Sequence, residues 1–271
     1  MKNKIITSAQ QKGGVGKTTT LVNNAYYIQD LNASMRRTSK ILLIDFDPQE
    51  NLTDSVVNDE EKLNSLVDAS MLFKNGFDVK NTPPIKTHIE GVELIRAGEA
   101  LSDIEAADFS VITKPREYLK KLDYGYIMID TPPSLGRLSL AALCAANFAY
   151  SPIIMDDYSI SGLEKFLLTV NSIKAEYNPD LQFLGMLPNL VDSKDRAQLD
   201  KLKEAQDMWG EIIFKHHIKR SSAIPKAISE KRAIWRNPPN GNAAKVGRQV
   251  KEVSREVIKR CILSSKEEVA A

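Results

Sequence analysis

Gln11-Lys12-Gly13-Gly14-Val15-Gly16-Lys17-Thr18-Thr19 follows the first apolar stretch of the chain, Ile5-Ile6, and opens a segment of helical character. That placement reads as a phosphate-binding loop. Glycines let the backbone turn so that successive N–H groups point inward at an anion, and the following helix adds its positive N-terminal end. Lys17 then reaches the terminal phosphates, Thr18 holds Mg²⁺, and Gly13, Gly14, Val15, Gly16 and Thr19 complete the cradle. The general motif asks for glycine at the position of Gln11. This chain supplies instead a second lysine, Lys12, immediately before the glycine pair.

Outward from the loop, short apolar runs alternate with helix-period segments. This pattern predicts an α/β fold: a doubly wound, mostly parallel sheet with helices on both faces, of the P-loop NTPase type. Strands are expected at Lys4 to Ala9, Ile41 to Ile44, Val92 to Ile95, Tyr126 to Ile129, Ala149 to Met155 and Phe183 to Leu187, with a short piece near Ile212 to Phe214. A helix is expected from Lys17 to about Ser34, with Leu21, Ala25, Ile28 and Leu31 on one face. Another should run from about Gly162 to Tyr177, started by Ser159 or Ser161 and stopped by Asn178-Pro179. Val246, Val250, Val253 and Val257 place a last helix from about Ala243 to Leu263, followed by a polar tail expected to fray. Phe73 to Thr87 and Asn237 to Gly241 read as loops.

Two of the strands deliver carboxylates. Ile41-Leu42-Leu43-Ile44 ends in Asp45-Phe46-Asp47-Pro48-Gln49, and Tyr126-Ile127-Met128-Ile129 ends in Asp130-Thr131-Pro132-Pro133. Ligands of open α/β sheets gather at that edge, and Asp130 has the form of the strand-end aspartate that holds Mg²⁺ beside a phosphate loop.

The runs KGGVGKTTT, DFDPQEN and DTPPSLG, with the spacing between them, resemble the ParA/MinD family of dimeric ATPases with a deviant Walker A motif, and most closely its ParA branch. The likeness extends over nearly the whole chain. It implies that ATP and Mg²⁺ are bound and that Lys12 crosses to the phosphates held by a partner copy. Asp47 would orient the attacking water while Asp45 lies near the metal, with Thr18 and Asp130 as the other metal-side residues. Lys12, Lys17 and Asp47 are thus the expected catalytic residues. Asn189, at the end of Gly185-Met186-Leu187-Pro188, matches the segment that meets the adenine; it fits a base-reading amide or a plain turn residue. Pro225 matches a segment whose backbone flanks the base, although the usual Glu-Ala-Pro reads Ala223-Ile224-Pro225 here.

The whole chain of 271 residues carries a formal charge of only +2, but the charge is uneven. Lys215 to Arg260 holds thirteen Lys and Arg against Glu230, Glu252 and Glu256. A basic end on an acidic body suggests a polyanion partner. Lys219, Arg220, Lys226, Lys245, Arg248 and Lys251 are the candidates for phosphate contacts, though each alone reads equally as a solvated surface charge. The resemblance supplies the partners: a second copy of the chain, non-specific double-stranded DNA, and a ParB-like activator on a plasmid, chromosome or protein assembly. A MinD-like membrane switch is the alternative. It calls for bulky Phe, Leu or Trp on the apolar face of the last helix, where this chain has mostly Val.

One domain is expected over residues 1–271, with the basic region at 215–260 and a short tail after 263. The first strand begins near Met1, so no secretory leader and no preceding DNA-binding domain are expected, and the chain reads as cytoplasmic and nucleoid-associated when ATP-bound. The apolar run Leu140 to Met155 is broken by Asn147, Ser151 and Pro152 and is too short to span a bilayer. Cys144 and Cys261 lack metal-site or disulfide spacing. His88, His216 and His217 carry no expected chemical role.

Overall fold

The computed structural model describes residues 3–78, 82–155 and 160–270. Its sheet contains β1 (Lys4–Ser8), β2 (Ile41–Asp45), β3 (Ile85–Lys86), β4 (Val92–Ile95), β5 (Tyr126–Asp130), β6 (Phe148–Ile153) and β7 (Gln182–Pro188). The order is β3-β4-β2-β5-β1-β6-β7, and only the β3 edge is antiparallel. Successive strand residues face opposite sides, as the two-residue period requires. Ile5, Leu42, Ile44, Ile127 and Ile129 line one core, while Ile6, Ile41, Leu43 and Met128 line the other.

The helices are α1 (Lys17–Ser34), α2 (Asn51–Val56), α3 (Asp59–Leu63), α4 (Leu101–Ala106), α5 (Lys114–Leu119), α6 (Arg137–Ala145), α7 (Ile160–Glu176), α8 (Arg196–Trp209), α9 (Ala223–Ser229) and α10 (Gly241–Ala270). On one face Leu21 and Ile28 of α1 pack with Ile224 of α9 and with Val246, Val250, Val253 and Val257 of α10. The other face is covered by Leu101, Leu119, Leu138, Phe166 and Leu202 of α4 to α8. Burial of one such side chain contributes about 1.5–3 kcal/mol, against about 0–1 for an exposed ion pair, so these apolar faces hold the layers together. Connections after β1 and β5 leave toward opposite edges of the sheet, which opens a crevice above the C-terminal ends of these two strands.

Four expectations need correction. The loop expected from Phe73 to Thr87 contains β3, whose Ile85 and Lys86 pair with Leu94 and Glu93. Ile212 to Phe214 is no strand: Gly210–Ile212 forms a 3-10 turn, and Ile213 makes a lone bridge to Met186. The last helix continues through the expected tail to Ala270, since Ser264 to Ala270 contains no Gly or Pro to stop it. α7 begins at Ile160, ahead of Ser161, while Ser159 lies outside the described residues.

Candidate functional site

Between β1 and α1 the backbone turns through Gly14 at φ 72° and Gly16 at φ 90°, a left-handed region that favours glycine. Gly16 is the N-cap of α1 and offers no side-chain cap, so the first-turn N–H groups remain available to an anion. Lys17 is buried, its ammonium 3.4 Å from the carbonyl of Lys12 in the same loop. Burial pulls its pKa down, and the charges of Asp130 and Asp47 oppose that pull. Lys12, five residues earlier, is exposed.

Asp130 and Asp45 are register partners at the ends of adjacent strands. Asp130 Oδ2 accepts a hydrogen bond from the Thr18 hydroxyl at 2.5 Å, while its buried Oδ1 has no partner. Burial raises the pKa of both carboxyls. For Asp130 the neighbouring Asp45 adds to the rise; for Asp45 hydrogen bonds from Thr53 oppose it. Magnesium takes hard oxygens, keeps several waters and relies on substrate phosphates for the rest. The Thr18 hydroxyl and the unpartnered Asp130 oxygen fit that requirement. No three Asp, Glu, His or Cys converge on a metal position among the described residues, so there is no all-protein cage.

Asp45, the strand neighbour of Asp130, is held by hydrogen bonds within its own turn. Its Oδ1 accepts from the backbone of Asp47 at 3.0 Å, and its Oδ2 accepts from the Thr53 backbone at 2.9 Å and hydroxyl at 2.8 Å. It organises the β2–α2 turn. That turn carries Asp47, which is nearly buried and accepts from Gln49 N at 3.0 Å.

Asn189 meets the phosphate loop from the end of β7. Only 2% exposed, it donates its side-chain amide to the Val15 carbonyl at 2.7 Å. A side chain on Gly16 would strike this amide, so Asn189 braces the phosphate loop from beneath. Pro225 is exposed in the first turn of α9.

Residues 3–183 match the family model described as an AAA domain. The chain is 31% identical over 236 residues to the chromosome partitioning protein ParA of Myxococcus xanthus, covering 83% of this chain and 78% of that one. It belongs to the ParA family of partition ATPases. Over 250 residues it is 30% identical to the sporulation initiation inhibitor protein Soj of Bacillus subtilis, covering 90% and 94% of the two chains. Among solved structures, cobyrinic acid a,c-diamide synthase from Mycobacterium smegmatis with bound ATP analog and magnesium superposes with a TM-score of 0.75 at 28% identity over 93% of each chain. The fold and the family expected from the sequence are thus both found.

This ParA-family chain exposes Arg220, Lys226, Lys245 and Arg248, and half-buries Lys219. Lys226 lies 3.9 Å from Glu230. Lys251 sits 3.5 Å from Asp30 of α1 and over the Trp235 ring. Asp30 also pairs with Arg236 and accepts from Trp235 Nε1 at 2.7 Å. Burial would raise the Asp30 carboxyl, but the Arg236 and Trp235 hydrogen bonds hold it below its usual value. His88 contacts Tyr26 at 2.7 Å and His216 contacts Glu256 at 2.6 Å. Among the described residues no helix is long and apolar enough to cross a membrane.

Proposed function

We propose that this partition ATPase is a nucleotide-dependent switch: with ATP and Mg²⁺ it forms a homodimer that binds double-stranded DNA without sequence preference. A ParB-like protein on a plasmid, chromosome or protein assembly stimulates hydrolysis and release, in the cytoplasm and at the nucleoid. The observation that carries this reading is the division between two lysines of one loop, Lys17 buried in its own cradle and Lys12 exposed on the rim. From this exposed rim position Lys12 would meet phosphates held by a second copy.

The glycine-loop N–H groups and Lys17 hold the phosphates, and Thr18 with Asp130 would hold Mg²⁺, which when bound neutralises phosphate charge. Asp47, on the turn organised by Asp45, orients the attacking water. Phosphoryl transfer depends chiefly on such positioning, and excess stabilisation by a partner's Lys12 makes turnover conditional on pairing. Pro225 would flank the base.

DNA affinity in this reading comes from counterion release at the exposed arginines and lysines of residues 215–260. The test is DNA binding by the ATP-bound protein across a salt series. The log of affinity should fall with log salt by about 0.9 per phosphate contacted, and Arg248→Glu should lower that slope by about one contact. A flat salt dependence would remove DNA from the account.

A further inference from the structure

We propose that Glu105 is a positioning residue for nucleotide hydrolysis, acting from α4 as the missing cap of α6 and so fixing the segment that joins Asp130 to the phosphate loop. The inference rests on the ATPase reading above and adds a residue to its machinery.

α6 begins after Gly136, which has no side chain to cap the helix. The Glu105 carboxylate takes that place, accepting from Arg137 N at 2.8 Å and Leu138 N at 3.3 Å. Its backbone carbonyl also accepts from the Arg137 guanidinium at 2.5 Å. A carboxylate at a helix N-terminus answers both the unpaired N–H groups and the positive end of the helix dipole. The fit is close enough that a Cβ on Gly136 would collide with the Glu105 carboxylate.

The segment ending at this cap starts at the catalytic edge. Asp130 closes β5, the Thr131 hydroxyl donates to Ser8 O at 2.9 Å, and Pro133 stands 3.4 Å from where a Gly13 Cβ would be. Ser139 of α6 donates to Ser134 O at 2.6 Å. One end of the segment is therefore anchored on β1 and its middle leans on the phosphate loop. The far end is held by Glu105. Release of that end leaves the glycine cradle and Lys17 in place but loosens Pro133 against Gly13 and the setting of Asp130. Phosphate binding should survive while the reacting geometry degrades.

The test compares ATP turnover, with DNA present, of wild type, Glu105→Ala, Glu105→Gln and Gly136→Ala, each first shown to be folded by a cooperative thermal transition. Glu105→Ala should lower kcat by about ten- to a hundredfold, as small misplacements of reacting groups do. KM for ATP should move by less than about threefold, because the loop N–H groups that bind phosphate are untouched. Glu105→Gln, which keeps an acceptor oxygen, should recover much of the loss. Gly136→Ala provides a second route: Gly136 has φ −77° and ψ −170°, a conformation alanine adopts without strain, so its effect must pass through the collision with Glu105. In the Glu105→Ala background Gly136→Ala should add nothing further. Wild-type kcat in folded Glu105→Ala overturns the proposal, as does a KM rise that accounts for the whole loss or additive effects in the double variant. Absence of turnover in the wild type would instead count against the ATPase reading itself.

Discussion

Asn189→Ala separates two jobs that one amide could perform, reading the base or bracing the loop. In the structure the Asn189 amide donates to Val15 O at 2.7 Å inside a buried site. Its removal leaves a buried carbonyl without a partner, which costs about 1–3 kcal/mol. For a domain of this size each kcal/mol lowers Tm by about 2–4 °C, so a drop of roughly 2–12 °C is expected in the nucleotide-free protein. The same loosening disorders the cradle that phosphates occupy. If about 1.4 kcal/mol of that cost falls on nucleotide binding, affinity drops about tenfold. Because the brace touches the loop and not a base, the loss should be equal for ATP, GTP and inorganic triphosphate. Isothermal titration with the three ligands measures it directly. A loss confined to ATP, with unchanged triphosphate affinity and unchanged Tm, would refute the bracing role and restore the base-reading one.

Asp130→Asn should stabilise the nucleotide-free protein at alkaline pH while abolishing turnover. Burial, with Asp45 beside it, raises the folded-state pKa of Asp130 above its unfolded value, so the folded state holds the extra proton. Stability is therefore greatest below the ordinary carboxyl range and declines as pH rises toward the raised value. Relative to Asp130→Asn, wild-type Tm should fall as pH rises from about 4 to about 8, read by scanning calorimetry; parallel curves would contradict this.

Much of the fold was legible because buried parallel strands leave unmistakable apolar runs: Val92–Ile95 and Lys17–Ser34 coincide with their sequence expectations. β3 was not legible. Two residues after a Pro83-Pro84 pair give no period, and their pairing is set by β4. The phosphate loop and Asp130 declare themselves by residue type at fixed spacing. Asp45, Asn189 and Lys251 do not, since what each does depends on the group the fold brings to it: Thr53, Val15 and Asp30. Glu105 was missed for the same reason. Its partners lie more than thirty residues on, and the only local hint was Gly136 at a helix start lacking a Ser, Thr, Asp or Asn cap.

Everything proposed for the switch depends on Lys12 serving a neighbouring copy. The direct measurement is the molar mass by light scattering at saturating ATP and Mg²⁺, with Asp47→Ala used to hold the nucleotide uncleaved. The account predicts a dimer for that variant and a monomer when Lys12→Ala is added, with ATP still bound in both. A monomer in the first case, or a dimer that persists without Lys12, would contradict it.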